Sequence, residues 1–200
     1  MLSYFLVGVK MKSDVFKTEI NYIKDERLKE NLITLLNLLP DYFYEIPASS
    51  TGKYHPEFSL GEGGLVRHTK VATKIAYTLF GNHSVQNFTS HEQDLLLISI
   101  ILHDGLKCGI TKNQYTKFEH PVIMSNFIKD NIDKLTLEDE EIEFICSVIE
   151  THMGEWTKDY NGNEMLRKPT SKYERFVHLC DYLSAQKFLN VKFDNNEICV

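Results

Sequence analysis

Several residue types and patterns are scarce in this chain, and each scarcity narrows what the protein can be. Four cysteines, Cys108, Cys146, Cys180 and Cys199, are scattered over 200 residues without a C-x-x-C pair. That spacing argues against a disulfide framework or a zinc knuckle and reads as free thiols in a reducing compartment. Basic residues do not outnumber acidic ones: 22 Lys and Arg face 28 Asp and Glu, a net charge of -6. A protein that coats nucleic-acid backbone needs many Lys and Arg phosphate contacts, so no long nucleic acid is expected as a partner. A small anionic substrate is still allowed, because a pocket can be locally positive inside an acidic protein. Membrane-length apolar runs are missing too. The opening "MLSYFLVGVK" is too short to span a bilayer, and it lacks the basic start and cleavage site of a signal peptide. A cytoplasmic protein with no membrane partner is the expectation, with Met11 an alternative start.

What the chain does contain is ordinary globular composition, 42% apolar and 25% charged. Its length suits one domain, expected over 1–200, and neither repeats nor low-complexity tracts interrupt it. Helical periodicity dominates. "DERLKENLITLLNLL" has acidic residues in its first turn and stops at Pro40. The Gly-, Ser- and Pro-rich "PASSTGKYHPEFSLGEGG" reads as a loop, either a surface lid or a connector. In "LVRHTKVATKIAYTLF" the stripe is Leu65, His68, Ala72, Ile75 and Leu79, with Arg67, Lys70 and Lys74 on other faces. "HEQDLLLISIILHD" is apolar nearly all round, as a central buried helix would be. "HPVIMSNFIKDN" places Pro121 at a first helical position with His120 at the cap. "EDEEIEFICSVIETHM" aligns Ile145, Val148, Ile149 and His152, and "SKYERFVHLCDYLSAQKFL" aligns Val177, Asp181 and Ser184. The tail "VKFDNNEICV" suggests a short strand that pairs with the N-terminal segment. The expected fold is all-α, with short strands at the termini.

His68, His103, Asp104, His152 and Asp181 share an oddity: each sits on or at the end of an otherwise apolar stripe. Any one alone reads as a satisfied core histidine or a capping aspartate. Two carboxylates in an apolar core, with few Arg or Lys on the same stripes, are harder to explain, since buried ionised Asp needs pairing or metal. A cation held by His nitrogens and Asp oxygens would satisfy all five.

The order His68, His103-Asp104, Asp181 resembles the defining pattern of the HD-domain superfamily of metal-dependent phosphohydrolases. "GGLVRHTKVA" is similar to that family's first helix, and "ILHDGLK" to its H-D-x-x-K segment, with Gly-Leu where a hydrophobic-Gly pair is usual. "FEHPVIMSNFI" and "ETHMGEW" resemble the two extra histidine segments of the binuclear branch, and "ERFVHLCDYLSAQ" the closing helix. The similarity covers a core of about 53–188 and implies an HD-type helical bundle. It is closest in character to the HD module of bacterial 3′-to-5′ exoribonucleases and to stand-alone phage and bacterial HD proteins; a phage origin would place the protein in host cytoplasm. Those exoribonucleases also carry an OB-type module, for which the residues before Lys53 are too few, so their substrate is not carried over.

The resemblance implies that His68, His103, Asp104 and Asp181 hold one divalent ion. Asp104 would bridge to a second ion held by His120 and His152. It further implies hydrolysis by metal-activated water, with Asp104 and Lys107 in catalytic positions. A His-rich set without thiolate suits Fe, Mn, Co, Ni or Zn. Lys107 reads either as a solvated lysine or as a point charge on substrate phosphate. Lys53, Arg67, Arg167 and Lys168 could ring a pocket mouth or simply be solvated. Trp156 and Tyr160 could stack on a base or pack on the protein's own surface. His178 reads as support for a ligand or as packing, and His55, His83 and His91 as solvent-facing. The expected function is metal-dependent hydrolysis of a phosphoester in a nucleotide or short oligonucleotide. A single-strand nuclease and a non-catalytic nucleotide-sensing HD module are the alternatives. The oligomeric state stays open.

Overall fold

The computed structural model describes residues 11–84 and 87–199, so the N-terminal "MLSYFLVGVK" lies outside the described residues. Eight α-helices follow one another among those residues: α1 (Lys17–Ile20), α2 (Glu26–Leu38), α3 (Tyr42–Glu45), α4 (Gly64–Phe80), α5 (Ser90–Leu102), α6 (His120–Lys129), α7 (Asp139–Glu150) and α8 (Lys172–Ser184). Among the described residues only β1 (Phe193–Asp194) and β2 (Glu197–Ile198) are strands, so the fold is all-α with a small terminal hairpin. No helix of the described residues is long and apolar enough to cross a membrane.

Helix α5 occupies the centre, touching α2, α4, α7 and α8. Every residue from Asp94 to Leu102 is buried, as its all-round apolar sequence requires. Its start is held by a reciprocal cap, in which Thr89 accepts from the Glu92 amide while the Glu92 carboxylate accepts from the Thr89 amide. Buried Asp94 accepts amide N–H bonds from Lys24 and Asp25, which ties α5 to the entry of α2. The helix therefore ends at a fixed point, and that point is the His103-Asp104 doublet.

The loop over 47–64 forms a wall that is pinned at both of its ends. Ala48 N–H donates to Ser59 carbonyl oxygen at 3.0 Å, and Leu65 N–H to Ile46 oxygen at 2.9 Å. Arg67 donates to the Phe58 and Leu60 carbonyls, which removes it from the pocket mouth where it could have served. At Gly64 a Cβ would stand 2.2 Å from the Ser59 oxygen, so only glycine permits this approach of loop to helix.

One further expectation is corrected, at Lys70, while the expected pairing of the tail with the N-terminal segment falls on residues 1–10 and lies outside the described residues. The tail strands pair with each other, Phe193 opposite Ile198, through a turn in which Asn195 (φ 46°) and Asn196 (φ 66°) are both left-handed. An Asn-Asn pair tolerates that conformation, so the tail closes as a hairpin. Lys70, read as lying off the apolar stripe, is wholly buried and donates to Glu19 at 2.7 Å and Glu197 at 2.8 Å. Two carboxylates from distant parts of the chain supply the pairing that a buried ammonium requires.

Helix α8 starts at an analogous polar knot. Ser171 caps it, and the Glu174 carboxylate accepts from the amides of Thr170 and Ser171 and from Arg167. Burial pushes Glu174 up, but these donors outweigh it and hold the group at about 2, below the ordinary 4.5. A depressed folded-state pKa contributes stability above the unfolded value and loses it as pH falls through the folded one. Glu174→Gln should therefore cost about 1–2 kcal/mol near neutrality, after allowance for solvent around Arg167. Thermal unfolding at a series of pH values should show the wild-type advantage shrinking below about pH 4.5 and vanishing near pH 2. An advantage that does not change with pH would contradict this account.

Candidate metal centre

Three helices and the turns that follow two others deliver six side chains to one place. His68 comes from the second turn of α4, and His103 and Asp104 from the end of α5. His120 opens α6, with Glu119 rather than His120 at its cap; His152 follows α7; Asp181 lies in α8. All but Asp181 are buried, and Asp181 is half-buried. The predicted metal residues are thus the ones that the fold brings together.

Their ring orientations share a logic. His103 Nδ1 faces the Ile100 carbonyl at 2.6 Å, His120 Nδ1 the Lys117 carbonyl at 2.7 Å, and His152 Nδ1 the Ile149 carbonyl at 2.8 Å. A carbonyl only accepts, so each Nδ1 carries the proton and each Nε2 of the neutral ring has a lone pair. His68 reaches the same state through Ser184. The Ser184 hydroxyl donates to the Asp181 carbonyl at 2.7 Å, which leaves its oxygen to accept from His68 Nδ1 at 3.1 Å.

These lone pairs converge on carboxylate oxygens, which also only accept. His68 Nε2 lies 2.9 Å and His103 Nε2 3.5 Å from Asp181 Oδ1. Asp104 is divided: Oδ2 stands 3.4 Å from His103 and 3.9 Å from His68, and Oδ1 stands 3.0 Å from His120 and 3.7 Å from His152. His120 and His152 bring their Nε2 atoms within 3.1 Å of each other. Acceptor facing acceptor is repulsive unless positive charge lies between. His68 Nε2, His103 Nε2 and Asp104 Oδ1 are buried and make no hydrogen bond, despite these short separations.

A divalent ion fits this set. Ligand bonds of about 2.0–2.2 Å around one tetrahedral ion would place adjacent donors roughly 3.3–3.6 Å apart, within the range of the observed spacings. Two clusters have every donor atom within 4.8 Å of the others: His68, His103 and Asp181, and His103, Asp104 and His152. With no ion in place, the carboxylates draw a second proton onto His103 instead, which expresses the same demand for positive charge. The carboxylates of Asp104 and Asp181 push His103 up to about 10 against its burial. Burial, with His103 and His120 nearby, pushes His152 down to about 3. Both aspartates stay well below the carboxylate range despite burial, Asp104 through Lys107 and the histidines and Asp181 through His103 and His68.

The centre opens into a cavity of about 700 Å³ with Asp104, His120, His152 and Asp181 on its floor. Lys107 lies on its wall, donating to Asp104 Oδ2 at 2.5 Å. Trp156 lies at its mouth, 56% exposed and stacked on Tyr182 with ring centroids 6.2 Å apart.

Arg167 and Lys168 do not line the cavity. Arg167 is held by Glu174 at 2.7 Å and by Ser147, and Lys168 by Glu155 at 2.8 Å, so acidic neighbours take up both charges. Lys53 and Tyr160 are also away from it, both exposed. His83 and His91 are exposed as expected. His55 is not: it lines the cavity with its ring edge-on to His68, centroids 5.0 Å apart, and burial pushes it down to about 3. A single histidine in a loop has no periodicity to betray its direction, which is why sequence misplaces it. Tyr54 and Tyr182 join the lining in the same unheralded way. His178 braces the turn that carries His152: its Nδ1 donates to the His152 carbonyl at 2.8 Å. Gly154 (φ +64°) makes room for it, since a Cβ there would lie 2.1 Å from the His178 ring.

Ser184→Ala should test the tautomer argument. Without its acceptor, His68 is free to place the proton on Nε2, and affinity for a divalent ion should fall about 10- to 100-fold with helical content unchanged. Competition against a chromophoric chelator measures this, and wild-type affinity in the variant would refute the argument.

A family model described as HD domain matches residues 65–186. No curated protein and no solved structure matches the chain significantly. The matched segment spans more than half of the chain and contains all six converging side chains. The chain belongs to the HD-domain family, a superfamily of metal-dependent phosphohydrolases.

Proposed function

We propose that this protein hydrolyses a phosphoester bond of a nucleotide or short oligonucleotide with one or two divalent transition-metal ions. The observation that carries the reading is the division of Asp104, one oxygen toward His68 and His103 and the other toward His120 and His152. His68, His103, Asp104 and Asp181 would hold one ion, and Asp104, His120 and His152 a second. Bound there, such ions lower the pKa of water and stabilise charge on phosphoryl oxygens.

The protein's own groups do the remaining work. The carbonyls behind His103, His120 and His152 and the hydroxyl behind His68 keep the Nε2 lone pairs aimed inward. Lys107 spends its charge on Asp104 in the structure and, from the cavity wall, is placed to meet a substrate phosphate oxygen. The mouth supports a base-bearing substrate. Tyr54, Trp156 and Tyr182 set aromatic surface opposite a polar floor, and a 700 Å³ cavity accommodates a mononucleotide. The family match stops short of substrate, so the nucleotide rests on this rim.

With Mn or Fe supplied, nucleoside monophosphates and a generic phosphodiester should be hydrolysed. His103→Ala and Asp104→Ala should each lower kcat/KM at least about a hundredfold, since one ion contributes several kcal/mol. Unchanged turnover in both would sink the assignment. Nucleotide binding without product by the metal-loaded wild type would instead favour a sensing module. The single tryptophan, Trp156, offers a direct readout of the base. A nucleoside monophosphate should quench its fluorescence where ribose 5-phosphate does not. Trp156→Ala should raise KM roughly five- to a hundredfold, the range for loss of one stacked base.

A further inference from the structure

His55 precedes the segment matched by the family model, which begins at residue 65. It belongs to the fixed 47–64 wall, and its surroundings leave it little freedom. Pro56 follows it, is buried, and restricts the His55 backbone to extended conformations. The wall is closed on itself across the residue, Ala48 to Ser59, and is bonded to α4 beyond it, through Arg67 to Phe58 and Leu60. The backbone that carries the ring is therefore tied down on either side, and Gly64 allows the close approach of wall to helix.

Held in this way, the imidazole is unsatisfied. Nδ1 is enclosed and has no hydrogen-bond partner, and the described residues offer no partner to the other ring nitrogen. An enclosed polar atom left unpaired is costly, so a retained one points to a partner that arrives later. That partner is not the metal. Neither cluster of mutually close donor atoms includes His55, although its ring edge touches His68. The remaining space beside it is the cavity it shares with Lys107, Asp104 and Asp181.

We propose that His55 is a substrate-positioning residue that donates a ring N–H to an oxygen of the scissile phosphate, complementing Lys107 on the cavity wall. The assignment rests on the phosphoester reading above. It requires one N–H, which the ring carries whether neutral or charged, and no proton transfer. A donor fixed on a rigid wall would orient the phosphate over the carboxylate floor at little entropic cost.

Three substitutions separate this role from packing. His55→Phe keeps an aromatic edge against His68 and removes the N–H; His55→Gln keeps a donor on a flexible stem; His55→Ala removes both. For each, metal content is measured by elemental analysis, inorganic phosphate affinity of the Mn-loaded protein by calorimetry, and kcat and KM on a nucleoside monophosphate. His55→Phe should bind wild-type amounts of metal, lose phosphate affinity about tenfold or more, and raise KM, with partial recovery in His55→Gln. Phosphate affinity retained in His55→Phe and lost only in His55→Ala would reduce the residue to packing and overturn the proposal. Metal lost from His55→Phe would overturn it by making His55 part of the metal centre. Turnover by the wild type with His55→Phe indistinguishable from it would defeat this inference and leave the phosphoester reading standing. Neither phosphate binding nor turnover by the wild type would bring down both.

Discussion

A carboxylate 2% exposed, Asp104, is the constraint around which the rest of this protein is arranged. An ionised group so placed must meet positive charge or become neutral, and the surroundings forbid neutrality by pressing its pKa down. Lys107 supplies one positive charge. The four histidine Nε2 atoms around it supply none while their protons sit on Nδ1. The centre is therefore a deficit of positive charge built into an apolar interior, and an ion resolves that deficit more completely than any side chain present.

The fold makes the deficit tolerable by preventing escape. Helix α5 is enclosed on all sides and capped at its start, so the doublet at its end cannot drift toward solvent. The His178 bond to His152 and the glycine beneath it hold the turn after α7, and Ser184 ties α8 to α4 through Asp181 and His68. Orientation is thus enforced by backbone carbonyls and one hydroxyl, groups whose own positions follow from helix geometry. The cost is an interior that is unfavourable on its own, and binding free energy for metal becomes part of folding free energy.

Some of this is legible along the chain. Apolar spacing locates α2, α4, α5, α7 and α8, because burial of a stripe leaves a periodic trace. Polar residues on those stripes stand out for the same reason, which is how His68, His103, Asp104, His152 and Asp181 come to notice. His120 is visible only through resemblance, since a histidine beside Pro121 has an ordinary capping explanation. Loop and surface groups carry no such trace. Arg167 and Lys168 read as free cations until Glu174 and Glu155 are seen beside them. His55 reads as solvated until the wall that carries it is seen closing on the site. Lys70 reads as a surface residue because its partners, Glu19 and Glu197, are far away in sequence.

The sequence by itself determined the helices, the buried central segment and the residue types available for a cation, because periodicity and polarity are local properties. Tertiary structure alone decided that Asp104 faces two histidine pairs with separate oxygens, that each converging histidine turns its Nδ1 toward an acceptor behind it, and that His55 shares the cavity. Those facts depend on distances between helices and on the direction of a loop. They arise from packing and hydrogen bonds between parts of the chain that have no sequence relation to one another.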